Sequence, residues 1–255
     1  MAGNEEQMIQ YLFNNRGSIC LDHLGEISEI GNPVGEKVFN IVQDLESLKK
    51  MSKEDSSKKA DVYINGVGVS IKQTGGSFSF NRLQRANLLK TFGMLNFSDP
   101  EGLLFKIDSE VNGFHNGNVE GRNRPWNSFF SETEFKSLLH FLMMEGSPNK
   151  GFSNDPAKLI LEGPRTIVSP QSISVYTFEE YFDKYKEKFV IAIRRQWVGQ
   201  KSKSENSRAK GLAKKTENAP WIFDSVVGQP TTGWDEVTPV SERRTVYFLM
   251  IEKVR

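Results

Sequence analysis

The feature that most constrains the fold is a hairpin pattern at residues 61–72, which reads DVYINGVGVSIK. Two runs of alternating and β-branched residues flank an Asn-Gly pair, the dipeptide preferred in a tight two-residue turn between antiparallel strands. Side chains two positions apart on a strand point to the same face, so we expect Ser70 and Lys72 to share one face. Asp61 lies at the start of the partner strand. The pattern therefore predicts that a carboxylate, a hydroxyl and an ammonium group meet on one face of a sheet.

The rest of the chain alternates between helical and extended patterns. Residues 31–51 carry a strong helical signal, because apolar residues recur at helical spacing behind an Asn-Pro start. Ser131 and Glu134 form a capping-box pattern at the start of another helix. We expect helices over residues 4–15, 31–51, 80–94, 131–145 and 177–188, further strands over 102–108, 189–198, 221–227 and 243–254, and loops over 109–127 and 199–220. This order predicts an α/β or α+β protein with a mixed central β-sheet flanked by helices and a β-rich C-terminal part.

Composition excludes several classes of protein. A hydrophobic content of 37% is ordinary for a folded protein and too high for a disordered one. A single cysteine, Cys20, rules out a disulfide framework and a four-cysteine zinc site. No apolar run approaches the roughly 18 residues of a membrane span, so we expect a cytoplasmic protein that has no membrane contact. No coiled-coil pattern is present, and both a monomer and a homodimer remain open.

The charge of the chain is strongly uneven. The formal net charge is only +1, yet residues 194–215 carry eight basic residues and one acidic residue, a local net charge of +7. Such a basic segment in an otherwise neutral protein is typical of contact with a polyanion such as nucleic acid. A solvated basic loop without a partner would have the same composition, so charge alone leaves both interpretations open.

The residue types at the hairpin suit metal-assisted chemistry on phosphodiesters. A carboxylate and a backbone carbonyl bind hard cations such as Mg²⁺. A bound metal polarises a phosphodiester and lowers the pKa of a water molecule, and a neighbouring lysine can orient or deprotonate that water. The common alternative is structural: Lys72 would be a half-exposed strand residue with its ammonium in solvent, and Asp61 an ordinary residue at a strand entry.

The hairpin and its surroundings resemble the PD-(D/E)xK nucleases. The resemblance rests on Asp61-x8-Ser70-Ile71-Lys72, on GNPVGEKVFNIVQDLESLKK before it, on IKQTGGSFSFNRLQR running out of it, and on the closing stretch RRTVYFLMIEKV. These stretches are most similar to the small MspI-type restriction enzymes. The resemblance implies a type II restriction endonuclease of a restriction-modification system, which hydrolyses double-stranded DNA at a short sequence with Mg²⁺. It implies a catalytic core at residues 1–145 and a DNA-recognition part at 146–255.

The chain departs from the family pattern at two positions. Ala60 stands where the family has proline, and Ser70 stands where it usually has an acid. The resemblance assigns Asp61 to the metal, the Ile71 carbonyl to the same metal and Lys72 to the water. The missing carboxylate must then come from elsewhere. We expect it from Glu36, although helical geometry turns Glu36 away from the apolar stripe, with Glu29 in reserve.

The predicted contacts with DNA lie in two segments. One follows the hairpin, where a Gly-Gly turn leads into a basic helix whose start would bind phosphates. The other is the basic segment, whose cations suit phosphates and whose amides suit base edges. The candidate DNA-binding residues are Gln73, Asn81, Arg82, Gln84, Arg85, Arg194, Arg195, Gln200, Lys201, Lys203, Arg208, Lys210, Lys214 and Lys215.

Two other functions fit the same residues. A DNA-repair or junction nuclease on the same fold would prefer damaged or branched DNA to any duplex sequence. A non-catalytic DNA-binding protein would keep the basic surface, and Ser70 would then mark a decayed active site.

Overall fold

The computed structural model describes residues 3–34, 39–44, 58–76, 78–224 and 232–255. The chain is an α+β protein with mixed sheets, as predicted. It divides into two compact units. The first unit comprises Met1–Phe78, Leu139–Lys188 and Lys253–Arg255, and the second unit comprises Ser79–Leu138 and Phe189–Glu252. Among the described residues, no helix is long and apolar enough to cross a membrane.

A six-stranded sheet forms the centre of the first unit. The strands are β3 (Ile30–Pro33), β4 (Phe39–Ile41), β5 (Val62–Ile64), β6 (Val67–Gln73), β11 (Leu159–Gly163) and β12 (Ser174–Tyr176). Their order is β12-β11-β6-β5-β3-β4, and all neighbours are antiparallel except β6 and β11, which run parallel. The parallel register places Glu162 opposite Lys72.

Helices and short strands complete the first unit. They are α1 (Gly3–Asn14), β1 (Cys20–Leu21), β2 (Gly25–Glu26), β9 (Gly146–Ser147), β10 (Gly151–Phe152) and α5 (Phe178–Tyr185). The main core brings Met8 and Leu12 of α1 together with Val69 and Ile71 of β6 and Leu161 of β11. Because Val69 and Ile71 belong to this core, the alternate residues Ser70 and Lys72 belong to the opposite face of the sheet.

The hairpin of β5 and β6 forms as predicted. Val62 pairs with Val69 and Ile64 with Val67, and the turn residues Asn65 and Gly66 have φ values of 49° and 77°. Positive φ at both positions is what a type I′ turn requires. The turn is also tied to the preceding segment, because the Asn65 amide accepts hydrogen bonds from the Ser28 and Glu29 backbone N–H groups at 3.0 and 3.1 Å.

The second unit is built on a five-stranded sheet. The strands are β7 (Phe78–Leu83), β8 (Asn123–Pro125), β13 (Phe189–Val198), β14 (Ile222–Phe223) and β15 (Arg244–Lys253), and the helices are α2 (Arg85–Met94), α3 (Pro100–His115), α4 (Glu132–His140) and α6 (Lys203–Ala213). The sheet order is β14-β15-β13-β8, with β7 also paired to β15, and its two longest strands, β13 and β15, match the prediction closely. Asp108 of α3 links three segments of this unit, since it accepts hydrogen bonds from Arg85 of α2 and from the Trp221 indole.

The predicted helix over 31–51 is wrong in its described part. Residues 30–33 and 39–41 are strands, paired with Gly31 opposite Ile41 and Pro33 opposite Phe39. The segment contains β-branched residues with a glycine and a proline near its start, so a place at the sheet edge outweighs the helical spacing. Glu36 and the stretch 45–50 lie outside the described residues.

The structure corrects three further predictions, all for residues 80–127 of the second unit. The predicted helix over 80–94 begins only at Arg85, and the preceding residues extend as β7. The predicted strand at 102–108 lies inside α3, which begins at Pro100 behind the N-cap Asp99, whose side chain accepts a hydrogen bond from the Gly102 N–H at 2.9 Å. An N-cap followed by proline is a strong helix start. This helix also occupies the first part of the predicted loop 109–127.

The predicted loop at 199–220 contains α6 and a 3₁₀ turn at Thr216–Trp221. Ala209 and Leu212 are buried, so one apolar edge is enough to fold this polar segment as a helix. The predicted strand 221–227 is observed only at Ile222–Phe223 within the described residues. The helix at 131–145 is present, and Ser131 and Glu134 form the predicted capping box; residues 141–145 continue it as a π-helical turn.

The two compact units also differ from the predicted division at 145/146. Because β11 pairs in parallel with β6, segments before residue 79 and after residue 138 belong to one sheet. A parallel pair needs a long crossover connection. Here the connection from β6 to β11 includes residues 79–138, which belong to the second unit. The catalytic and DNA-recognition roles of the two predicted parts stay predictions.

Candidate active site

Asp61, Ser70 and Lys72 lie in a continuous hydrogen-bonded chain. Lys72 Nζ donates to Ser70 Oγ at 2.7 Å, and Ser70 Oγ donates to Asp61 Oδ2 at 3.3 Å. Asp61 Oδ2 also accepts the Ile71 backbone N–H at 2.6 Å. The structure thus brings together the carboxylate, the hydroxyl and the ammonium group that the hairpin pattern places on one face.

The strand geometry explains this arrangement. Asp61 immediately precedes β5, and its backbone N–H donates to the Val69 carbonyl, which brings it level with Ser70. Ser70 is buried and Lys72 is half-buried. Lys72 Nζ also donates to the Ile71 carbonyl at 3.0 Å, so the ammonium group is held by two oxygen acceptors of its own strand.

Two further charged residues belong to the surroundings of this site, and sequence reasoning missed both. Burial raises the pKa of Glu5 on α1, and the negative charge of Asp61 raises it further, while Lys72 opposes the rise. Burial, assisted by the positive charge of Lys72, lowers the pKa of Lys59 to about 8. Lys59 Nζ donates to the Leu142 carbonyl at 2.8 Å. The charges of Asp61 and Lys72 thus influence the pKa values of both Glu5 and Lys59.

The sequence holds a signal for only one of these two residues. Lys59 stands two positions before Asp61, at the spacing of side chains that share a strand face. Glu5 is 56 positions away from Asp61 along the chain. Only the packing of α1 in the first unit brings its charge near the hairpin, and no local pattern records that packing.

A second ionic cluster begins at Glu162, directly opposite Lys72 on β11. Its buried carboxylate accepts a hydrogen bond from Tyr185 Oη at 2.6 Å and forms ion pairs with Lys184 and Lys253, both at 3.3 Å. Lys253 also lies over the Tyr185 ring, 3.8 Å from its centroid. Although Glu162 is opposite Lys72, its carboxylate already has three partners of its own.

The oxygen donors around Asp61 fit the chemistry of Mg²⁺. This cation is usually held by one or two carboxylates and keeps several waters. Asp61 Oδ2 accepts from the Ser70 hydroxyl and the Ile71 N–H, and the Ile71 carbonyl accepts from the Lys72 ammonium group. The second carboxylate in its surroundings is Glu5, whose pKa responds to the charge of Asp61. Within the described ranges, no group of three or more His, Cys, Asp or Glu side chains is placed to hold a metal ion.

Neither acid expected to replace the one missing at Ser70 lies at this site in the described part of the chain. Glu36 is outside the described residues. Glu29 is next to the hairpin turn, because its backbone carbonyl accepts the Asn65 N–H and its own N–H donates to the Asn65 side chain. Asn65 lies four positions along the chain from Asp61, a distance of about 13 Å in a strand.

The candidate DNA-binding residues fall into two groups. Those exposed to solvent are Gln73, Arg195, Lys201, Lys203, Arg208, Lys210, Lys214 and Lys215. Those held by internal contacts are Arg82 with Glu205, Arg85 with Asp108, Arg194 with Glu252, and Gln200, which is 7% exposed and donates to the Trp197 carbonyl. Two of the exposed cations also have surface partners, because Lys215 donates to the half-buried Gln84 and Arg208 pairs with Glu205. Asn81 lies on β7, and its side chain is outside the described part of the structure.

The chain matches no protein-family model, no curated protein and no solved structure. The resemblance to PD-(D/E)xK nucleases therefore stays an expectation, and the geometry of the site is the basis for any functional proposal.

Proposed function

We propose that the protein is an Mg²⁺-dependent endonuclease of the restriction type, which hydrolyses phosphodiester bonds of double-stranded DNA at a short sequence. The observation that carries the proposal is the Asp61–Ser70–Lys72 chain on one face of the sheet, with an ammonium group 2.7 Å from the serine that bonds to the carboxylate. Nuclease chemistry needs a metal-binding carboxylate and a cation beside the attacked phosphate, and Asp61 and Lys72 would take these two roles. An intracellular location belongs to the same proposal.

Each residue of the site has a defined task in this proposal. Asp61 and the Ile71 carbonyl would hold Mg²⁺, and Glu5 would supply the carboxylate that Ser70 lacks. When bound, Mg²⁺ would polarise the phosphodiester and lower the pKa of a water molecule. Lys72 would leave its two strand acceptors to orient that water and offset the charge that develops on the phosphate. Ser70 fixes Lys72 relative to Asp61 in the absence of substrate.

The exposed cations of α6 and its flanks supply the DNA-binding surface in this proposal. Lys203, Arg208, Lys210, Lys214 and Lys215 are all exposed in the second unit. Because every phosphate contact releases counterions, affinity that depends on these cations falls steeply with salt. Replacing Lys203, Lys210 and Lys214 together by glutamine should weaken DNA binding and reduce the slope of log K against log salt by about 0.9 for each lost contact.

A plasmid digest with Mg²⁺, followed by sequencing of the fragment ends, tests the proposal directly. The wild-type protein should give discrete fragments whose ends share one short sequence. Lys72→Ala should lower the cleavage rate by about 100-fold or more, a typical loss when a group that offsets developing charge is removed. Asp61→Asn should lower it by a similar factor, because it removes the metal-binding carboxylate. Glu5→Gln should lower the rate and raise the Mg²⁺ concentration needed for half-maximal cleavage.

Lys158→Ala provides a matched control. Lys158 is an exposed lysine of the first unit that precedes β11, and its loss should leave cleavage unchanged. Full cleavage by Lys72→Ala would refute the role of the site. If only Glu5→Gln cleaved normally, the nuclease assignment would stand and a different carboxylate would have to hold the metal.

One observation favours a second candidate, a DNA-binding protein whose active site has decayed. The Lys72 ammonium is already engaged by Ser70 and by the Ile71 carbonyl, which also serves as a proposed metal ligand. A site frozen in this state would bind DNA without cleaving it. Binding that persists in EDTA, together with intact plasmid in both Mg²⁺ and Mn²⁺, would select this function.

A further inference from the structure

An open cavity of about 500 Å³ lies in the second unit, and none of its lining residues is assigned to the cleavage chemistry. Its lining includes Phe114, His115, Asn116, Glu120, Arg195 and Tyr247. The volume is within the range of pockets that bind small molecules, which is about 300–1,000 Å³. Aromatic side chains therefore share one cavity with a cation, a carboxylate and an amide.

A short relay of hydrogen bonds organises the wall of this cavity. Arg195 hydrogen-bonds the Tyr247 hydroxyl, and Tyr247 Oη lies 3.1 Å from His115 Nδ1. A guanidinium can only donate, so the tyrosine oxygen accepts from Arg195. Burial, and then the positive charge of Arg195, lower the pKa of His115.

The aromatic groups of the wall pack against one another and against Phe223. His115 stacks on Phe223 with ring centroids 3.8 Å apart, and Phe114 meets Tyr247 edge-to-face at 6.0 Å. His115 and Tyr247 are each 2% exposed, whereas Arg195 is exposed. The hydroxyl of Tyr247 thus holds an exposed guanidinium against a preformed apolar surface.

We propose that this cavity binds a nucleotide, with the base against Phe114 and the phosphate on Arg195. Aromatic side chains stack with any base, and a guanidinium binds phosphate through paired hydrogen bonds. The Glu120 carboxylate can accept hydrogen bonds from a base amino group, and the Asn116 amide can both donate and accept. The same chemistry would suit a free nucleoside monophosphate or a single nucleotide unstacked from a DNA strand.

Isothermal titration calorimetry with dAMP, dGMP, dCMP and dTMP tests this inference. At least one of the four should bind saturably at one site, and more tightly than its nucleoside or inorganic phosphate alone. Arg195→Ala should weaken binding about tenfold or more, because it removes a charged hydrogen bond to phosphate. Tyr247→Phe keeps the ring and removes the hydroxyl that holds Arg195, so a smaller loss is expected.

Arg122→Ala is the matched control, because Arg122 is an exposed arginine of the same unit outside the cavity lining. Its nucleotide affinity should equal that of the wild type. The inference is overturned if no mononucleotide binds at millimolar concentration, if phosphate alone binds as tightly, or if Arg122→Ala and Arg195→Ala lose affinity equally. Circular dichroism of each variant shows that a loss of binding is not a loss of folding.

Competition distinguishes the two sources of the nucleotide. An oligonucleotide that displaces the bound mononucleotide identifies the cavity as a site for a base of nucleic acid, and one that does not displace it identifies a free nucleotide as the ligand. Both results support a nucleotide site. The inference does not use Lys72 or Asp61, so a failure of DNA cleavage would leave it untouched.

Discussion

The Asn65 side chain offers the most quantitative test of how the hairpin is held. Its amide oxygen accepts hydrogen bonds from the Ser28 backbone N–H at 3.0 Å, the Ser28 hydroxyl at 3.1 Å and the Glu29 N–H at 3.1 Å. Its NH₂ group donates to the carbonyls of Leu24 at 3.1 Å and Glu26 at 2.7 Å. Asn65→Ala removes these five bonds at once and leaves alanine at a φ of 49°.

The expected cost follows from these contacts. Each hydrogen bond contributes about 0.5–1.5 kcal/mol net, and the lower end applies because Asn65 is only half-buried. The five bonds together then contribute about 2.5 kcal/mol. Alanine adopts the left-handed backbone region less readily than asparagine, which adds about 1 kcal/mol to the cost. Asn65→Ala should therefore destabilise the hairpin by about 3.5 kcal/mol.

Asn65→Gly separates the two terms, because glycine adopts positive φ without strain. It should recover about 1 kcal/mol relative to Asn65→Ala while still lacking the five bonds. Amide hydrogen exchange of β5 and β6 measures the effect where it occurs. Tryptophan fluorescence provides the internal comparison, since all four tryptophans (Trp126, Trp197, Trp221 and Trp234) are in the second unit.

The result that would refute this reasoning is clear. If Asn65→Ala accelerated exchange in the hairpin by less than about tenfold, which corresponds to about 1.4 kcal/mol, the five bonds would contribute far less than their geometry indicates. If Asn65→Gly were as stable as the wild type, backbone strain would account for the whole effect.

Two more predictions concern buried charge in the first unit. Glu162→Gln leaves Lys253, whose side chain is 3% exposed, without its carboxylate. The free energy of unfolding in urea should then fall by about 3 kcal/mol. The control Glu187→Gln, which replaces an exposed acid, should leave it unchanged. Lys59 has a pKa lowered from 10.5 to about 8, so between pH 8 and 10.5 the unfolded state binds the extra proton and stability should rise with pH. Urea midpoints across that window should rise more steeply for the wild type than for Lys59→Met, and parallel slopes would contradict the burial of this ammonium group.

Much of the site was predictable because its chemistry is local. An Asn-Gly turn fixes the register of its two strands, and register fixes which side chains share a face. The strand at 189–198 and the capping box at Ser131 are equally local signals, and both are present. The candidate residues Asp61, Ser70 and Lys72 therefore lie together in the structure, while their catalytic roles stay predictions.

The rest depends on packing that no short pattern contains. Residues 31–51 have helical spacing, yet their described part pairs as strands, because a neighbouring sheet edge was available. Residues 102–108 alone have the composition of a strand. The signals for a helix lie outside this short stretch, in the N-cap Asp99 and in the apolar stripe that continues to the end of α3. Glu5 responds to the charges of Asp61 and Lys72 only because α1 packs in the same unit, so no local pattern predicts its proximity.

The parallel pairing of β6 with β11 has a consequence for the order in which the protein folds. Lys72 and its opposite residue Glu162 are 90 positions apart, and Lys253 reaches Glu162 from another 91 positions along the chain. Contacts so distant in sequence give a high contact order, which slows folding. On the ribosome, the hairpin would emerge and form early, at roughly 5–20 residues per second, but its sheet would wait many seconds for the strand that completes it. During that interval the edge of β6 is an unpaired strand, and chaperone binding should be greatest there.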